Sequence, residues 1–463
     1  MNNSNRKTRS DLRFFAVLIA GAGLVVIIGL LALLALFNRG GDSPAPVSTV
    51  TVVPPSPTLV LGGVTVVAAS PAAGEGGQLP PATAAAGEQV PLATAIVQPT
   101  VVEAQTVDIS GPFPEDAFGY GIQVQGSVGD PKLTIGSVKK LGMNWIKQQV
   151  RWEHIEPNPG EFNWVLIDGI INDAHEAGIR VMLSVVTAPA WARVNSGGGT
   201  HGPPDNYAEF GRFIGQLVDR YKGKIHAIEV WNEQNLDREW QAPGGLNAAD
   251  YVRLLQIASQ EIKARDSNII VISGALSPTG GWVEPDGRVT AIDDFAYFQE
   301  QLNAGLISHA DCVGAHHNGI NFPPDKDWNE GYNDTTAAFR GPFDNPHHSW
   351  SFKSTLWGYH DMMNGARKLC VTEFGWATVE GFGGTPPGFE FAEDNTLQEQ
   401  ADWIVQAFQL QREWGITWIA YLWNLNYANT SQDPLDPNVP YSLVDFNGVP
   451  RPAYGALEQM SKP

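Results

Sequence analysis

Glu233 and Glu373 occupy matching places in the chain. Glu233 follows an apolar run, Ile225-His226-Ala227-Ile228-Glu229-Val230, that stops at Trp231-Asn232-Glu233. Glu373 ends a second run, Leu369-Cys370-Val371-Thr372-Glu373. Each run reads as a buried strand with a carboxyl at its C-terminal tip. Two carboxyls that face each other across one bond can divide the work of glycoside hydrolysis. Glu233 would protonate the leaving oxygen and then activate water, which needs a pKa raised by burial or by a nearby like charge. Glu373 would attack the sugar carbon and must stay ionised, with Arg151 the cation that holds it so. Asn232 can hydrogen-bond the sugar 2-hydroxyl, and Trp423 can stack beneath the ring. Glu229, which shares the parity of Glu233, is either a barrel-interior ion pair or a substrate contact, and the structural reading is preferred.

Such residues need a frame that brings distant strand ends together. Strands are predicted at 119–125, 144–151, 180–186, 225–231, 268–273, 311–315, 368–372 and 416–423. Helices are predicted between them, at 131–141, 164–177, 205–221, 247–265, 293–303, 350–366, 396–414 and 452–460. Asp130-Pro131 supplies an N-cap followed by proline at the first helical position, and Gly178 and Gly223 follow helix ends. Eight alternations of this kind predict a (β/α)₈ TIM barrel. In that fold the strand C-termini form one bowl, which would gather Arg151, Asn232, Glu233, His316, His317, Glu373, Trp423 and Asn424. An open doubly wound sheet is the competing architecture, but no GxGxxG follows the first strand.

Residues 1–13 form a basic tail with Arg6, Lys7, Arg9 and Arg13, and residues 14–37 carry no charge. That length predicts a single transmembrane helix acting as a signal anchor, and the flanking charges place the tail in the cytoplasm and the rest outside. Ala32 and Ala35 leave cleavage and secretion open. Residues 38–110, rich in Pro, Ala, Val, Thr and Gly and free of aromatics, predict an extended linker; residues 111–463 hold the barrel. The net charge is −20, and the first 39 residues contribute +4, so the remainder carries −24. An acidic body of this kind argues against nucleic acid as a partner. Cys312 and Cys370 show no metal-ligand spacing. Counting alternation back from Glu373 and His316 puts the two thiols on opposite strand faces, so two buried free thiols are expected, although an exported location would permit a disulfide.

The motifs Glu229-Val230-Trp231-Asn232-Glu233 and Val371-Thr372-Glu373-Phe374-Gly375 resemble the strand-four and strand-seven motifs of the clan of retaining (β/α)₈-barrel glycoside hydrolases. That clan includes endoglucanases, β-mannanases, β-xylosidases and β-galactosidases. Val150-Arg151-Trp152 and Thr187-Ala188-Pro189-Ala190-Trp191 resemble its second strand and the loop after its third. The resemblance spans roughly residues 115–460. It implies cleavage of β-glycosidic bonds in a polysaccharide or oligosaccharide by retaining double displacement, with Glu233 and Glu373 catalytic. Arg151, Asn232, Trp191, His316 and Trp423 would bind substrate, and no metal or organic cofactor is implied. An exo-acting glycosidase or transglycosylase, and a non-catalytic glycan-binding barrel, are the alternatives. One departure concerns Asn318, which stands where the clan often has a tyrosine that touches the nucleophile. Phe322, Trp328, Tyr332, Phe339 and Phe343 after the sixth strand, and Trp376, Phe382, Phe389 and Phe391 after the seventh, would either bind further sugars or pack the loops.

Overall fold

The computed structural model describes residues 108–196, 201–330 and 347–463. The chain divides into residues 1–97 and 98–463, and everything below concerns the second unit. The expected tail, membrane helix and most of the linker lie outside the described residues, as do Tyr332, Phe339 and Phe343. Among the described residues no helix is long and apolar enough to cross a membrane.

Ten strands follow in chain order: β1 (Gly119–Gln123), β2 (Trp145–Arg151), β3 (Arg180–Val186), β4 (Ala227–Val230), β5 (Ile270–Ser273), β6 (Trp282–Val283), β7 (Val289–Ala291), β8 (Val313–Gly319), β9 (Leu369–Trp376) and β10 (Thr417–Leu422). Eight of them form one parallel sheet in the order β5-β4-β3-β2-β1-β10-β9-β8. Bridges Ile272–Cys312 and Leu276–Ala315 join the two ends, so the sheet closes into the predicted barrel. The strands β6 and β7 form a small antiparallel hairpin outside the barrel, which the sequence patterning had not suggested.

The helices pack outside. They are α1 (Pro131–Lys140), α2 (Trp152–Ile155), α3 (Val165–Glu176), α4 (Tyr207–Arg220), α5 (Ala248–Arg265), α6 (Asp294–Asn303), α7 (Phe352–Met362), α8 (Leu397–Trp414), α9 (Tyr427–Ser431) and α10 (Pro452–Gln459). Local chemistry sets their ends. The Asp130 side chain accepts from the Lys132 amide ahead of Pro131, Thr396 and Glu399 make a reciprocal capping box on α8, and Gly415 ends α8 at φ 70°. Outward strand residues such as Ile146, Leu183 and Ile228 join Phe210, Phe213, Leu254 and Phe408 in the layer between sheet and helices. Inward residues Trp145, Met182, Ala227, Ile270 and Tyr421 fill the barrel floor, where Phe113 packs against Trp145 at 5.3 Å between ring centres.

Cys312 and Cys370 lie in that floor and form a disulfide, with Cα atoms 5.8 Å apart. This corrects the expectation of two free thiols. Pairing of β8 with β9 passes from Ala315↔Val371 directly to His316↔Glu373, so Thr372 is an extra residue on β9. At this bulge Thr372 and Glu373 both turn inward, to Glu229 and Lys147 respectively. Alternation therefore breaks between Cys370 and Glu373, and Cys370 shares the inner face with Cys312.

Candidate active site

The backbone leaving β4 is folded tightly. Trp231 and Glu233 both take positive φ, 77° and 45°, a region costly for side chains of their size. Hydrogen bonds pay that cost: Trp231 N–H donates to Val185 O at 3.0 Å, Glu233 N–H to Ala275 O at 2.8 Å, and the Trp231 indole N–H to Glu239 O at 3.0 Å. The result aims Glu233 over the barrel mouth.

Beneath it lies a buried charge cluster. Lys147, with no exposed side-chain surface, extends from β2 to Glu373 Oε1 at 3.0 Å and Glu229 Oε2 at 3.2 Å. Thr372 donates its hydroxyl to Glu229 Oε1 at 2.6 Å. His316, fully buried on β8, places Nδ1 3.3 Å from Glu233 Oε1 and 3.8 Å from Glu373 Oε2. Since both oxygens approach the same nitrogen, they lie within about 7 Å of each other, close enough to flank one glycosidic bond. Arg238 donates to Glu233 Oε2 at 3.1 Å from the outer side.

These partners decide protonation. Burial alone would raise the pKa of Glu233, but the His316 hydrogen bond and the Arg238 guanidinium together bring it down to about 2. That reverses the raised value expected from the sequence, because burial arrives here together with two donors. Burial opposes charge on His316 too, yet Glu373 and Glu233 raise its pKa overall. For Glu229 burial again pushes upward, and Lys147 and His316 outweigh it. Glu239 behaves differently: burial first, and the charge of Glu233 second, push it up to about 7.

A cavity of about 360 Å³ opens above the cluster. Its lining brings together Asn232, Glu233, Glu373 and Trp423 from the sequence-derived set, with Gln149, Arg238, Glu239, Asn318, Phe389 and Tyr441. Asn232 keeps its amide oxygen buried without a hydrogen-bond partner among the described residues. His316 lies under the cavity rather than in its wall.

Two expected residues are placed elsewhere. Arg151 turns to Glu153, Nε to Oε1 2.7 Å, and the cation on Glu373 is Lys147. Both basic residues share one face of β2, and the one deeper in the barrel meets the carboxylate; Arg151 at the strand end reaches past it. Trp191 is outside the cavity lining. Its indole N–H donates to Glu156 O at 3.0 Å, it packs edge-on against Trp152 at 5.6 Å, and Arg212 covers its face. Lys147 was open to detection from the sequence. A lysine inside a strand of otherwise buried pattern must find a carboxylate, and Glu229 had already been read as half of such a pair. Lys147 also supplies the donor to Glu373 that a tyrosine at position 318 would otherwise give.

Residues 131–195 match the glycoside hydrolase family 42 profile, described as β-galactosidase. That segment holds β2, β3 and the Arg151 and Trp191 motifs. The chain resembles the barrel glycoside hydrolases. Among solved structures, a family 39 glycoside hydrolase from Bacteroides cellulosilyticus WH2 superposes with a TM-score of 0.55 at 18% identity, covering 75% of this chain and 64% of that one. This chain thus spans just under two thirds of that enzyme's length. A xylanase from Paenibacillus barcinonensis superposes with a TM-score of 0.50 at 17% identity, covering 77% of this chain and all of the xylanase. A glucosidase from Croceicoccus marinus gives a TM-score of 0.50 at 10% identity, covering 75% and 68%. No curated protein sequence matches the chain. Identities this low show the barrel fold, and the family 42 match covers residues 131–195 alone.

Proposed function

We propose that the protein is a β-glycoside hydrolase working by retaining double displacement, held at the cell membrane by residues 14–37 with its barrel outside. The observation that carries the catalytic reading is the convergence of Glu233 and Glu373 on His316 Nδ1 beneath one cavity. Glu373, with Lys147 on one oxygen, presents the other to the cavity and attacks the anomeric carbon. The glycosyl–oxygen bond breaks as Glu233 protonates the leaving oxygen, and the sugar is left as an ester of Glu373. Glu233, now ionised, takes a proton from water, which hydrolyses the ester and frees Glu373. The Asn232 amide oxygen, without a partner among the described residues, suits the 2-hydroxyl contact, and Trp423 and Phe389 offer ring faces for sugar stacking. Apart from water and the sugar, every group this scheme uses is a side chain of the chain itself. The floor disulfide suits an oxidising compartment and supports an outward-facing barrel.

The test is a panel of aryl β-glycosides and β-linked polysaccharides, assayed with the parent, Glu373→Ala and Glu233→Ala. Glu373→Ala should lose turnover on every substrate, by roughly 10³-fold or more. Glu233→Ala should retain glycosylation of aryl substrates with good leaving groups while losing natural glycans, since a good leaving group needs little protonation. Binding of glycans without turnover by the parent would contradict the reading.

A further inference from the structure

A general acid must carry a proton when substrate is bound, yet Glu233 is held by Arg238 and His316, which favour its carboxylate. The cavity wall holds a third carboxyl. Arg238 stands between the two: Nη2 lies 3.1 Å from Glu233 Oε2, and Nε lies 3.8 Å from Glu239 Oε1. All three residues line the same cavity. The Arg238 side chain is 67% exposed, so it can swing between partners without unpacking anything. Its neighbours are fixed. Glu239 is anchored by its carbonyl to Trp231, and the adjacent Asp237 is tied to the β6–β7 hairpin through Thr290 O and Arg288.

We propose that Arg238 and Glu239 arm the acid: the two carboxyls Glu233 and Glu239 share one guanidinium and one proton, and the proton reaches Glu233 when Arg238 moves over to Glu239. This rests on the glycosidase reading above. Two neighbouring carboxylates that share one guanidinium favour holding one proton between them. With Arg238 on Glu233, that proton sits on Glu239, in line with the raised pKa of Glu239 and the lowered one of Glu233. When a sugar on the leaving-group side displaces Arg238, the guanidinium pairs with Glu239 as its carboxylate. The proton released there passes through solvent to Glu233, and from Glu233 to the leaving oxygen. The other charges facing the pair are Arg151 and Glu373 on Glu239, His316 on Glu233, and Asp237 on Arg238. None of them exchanges partners in this scheme. Glu239 and Arg238 are positioning residues, acting through Glu233.

The experiment measures kcat/KM against pH for the parent, Glu239→Gln and Arg238→Met. Two aryl β-glycosides are used, one with a good and one with a poor leaving group. In Glu239→Gln, Arg238 has no second carboxylate to go to. Activity near neutral pH should fall about 10- to 100-fold on the poor leaving group and much less on the good one, and the alkaline limb should move to lower pH. Arg238→Met releases Glu233, so its alkaline limb should move to higher pH. An active parent whose Glu239→Gln variant keeps the parental alkaline limb, or loses both substrates equally, overturns the inference and leaves the glycosidase reading intact. A parent inactive on every β-glycoside overturns that reading and the inference with it.

Discussion

A lysine with no exposed side-chain surface, as Lys147 is here, is costly to bury unless opposite charges meet it. Burial pulls its pKa down, while Glu229 and Glu373 push it further up, so the ammonium persists. Lys147→Met would strand Glu229, and thermal or urea unfolding should show a loss of about 3–5 kcal/mol; a loss below about 1 kcal/mol would mean that the buried pair is not needed. Glu239 offers a signed test. Its pKa is raised from 4.5 to about 7, so the folded protein binds more proton than the unfolded chain across that window. Stability from this group is therefore highest below pH 4.5 and declines as pH rises toward 7. Glu239→Gln removes the decline, and should unfold later than the parent at pH 8, by about 2 kcal/mol, with little difference at pH 4.5. Equal stability at pH 8 would contradict the raised value. At this scale the sequence disclosed much. That Glu233, Glu373, Asn232 and Trp423 would meet at one cavity was legible because each ends a strand, and strand ends meet in a barrel. The turn of Arg151 to Glu153 and of Trp191 to Glu156 was not legible, because position along the chain does not say which way a long side chain points.

At the scale of the element, alternation was the legible signal and the bulge was the hidden one. The eight strand–helix units could be read from their apolar periods, caps and glycines. The extra residue at Thr372 could not, since one inserted residue leaves the apolar run looking unbroken. That single residue decides the fate of both cysteines. The Cys312–Cys370 bond closes a sequence separation of 58 residues, and replacing both with serine should cost about 2–4 kcal/mol. The same midpoint with and without reductant would count against the bond. Barrel closure between β5 and β8 depends on close backbone approach. At Gly314 an added Cβ would sit 2.0 Å from Ser273 O. Gly314→Ala should therefore push the two strands apart and lower stability by roughly 1–3 kcal/mol; an unchanged melting temperature would contradict the tight closure.

For the whole molecule, composition separated the chain into an uncharged run, an aromatic-free spacer and an aromatic-rich barrel, and only the barrel can bury a core. The proposed anchor predicts that the full chain stays with membranes through an alkaline carbonate wash; recovery in the supernatant would contradict it. The account as a whole depends on two glutamates sharing one sugar. The direct measurement is covalent trapping with a panel of activated 2-deoxy-2-fluoro-β-glycosides, followed by intact mass and peptide mapping. We predict a single fluoroglycosyl adduct on Glu373, abolished in Glu373→Ala and slow to hydrolyse in Glu233→Ala. An adduct on another residue, or hydrolysis whose first product has the inverted anomeric configuration, would contradict the double displacement on which the account is built.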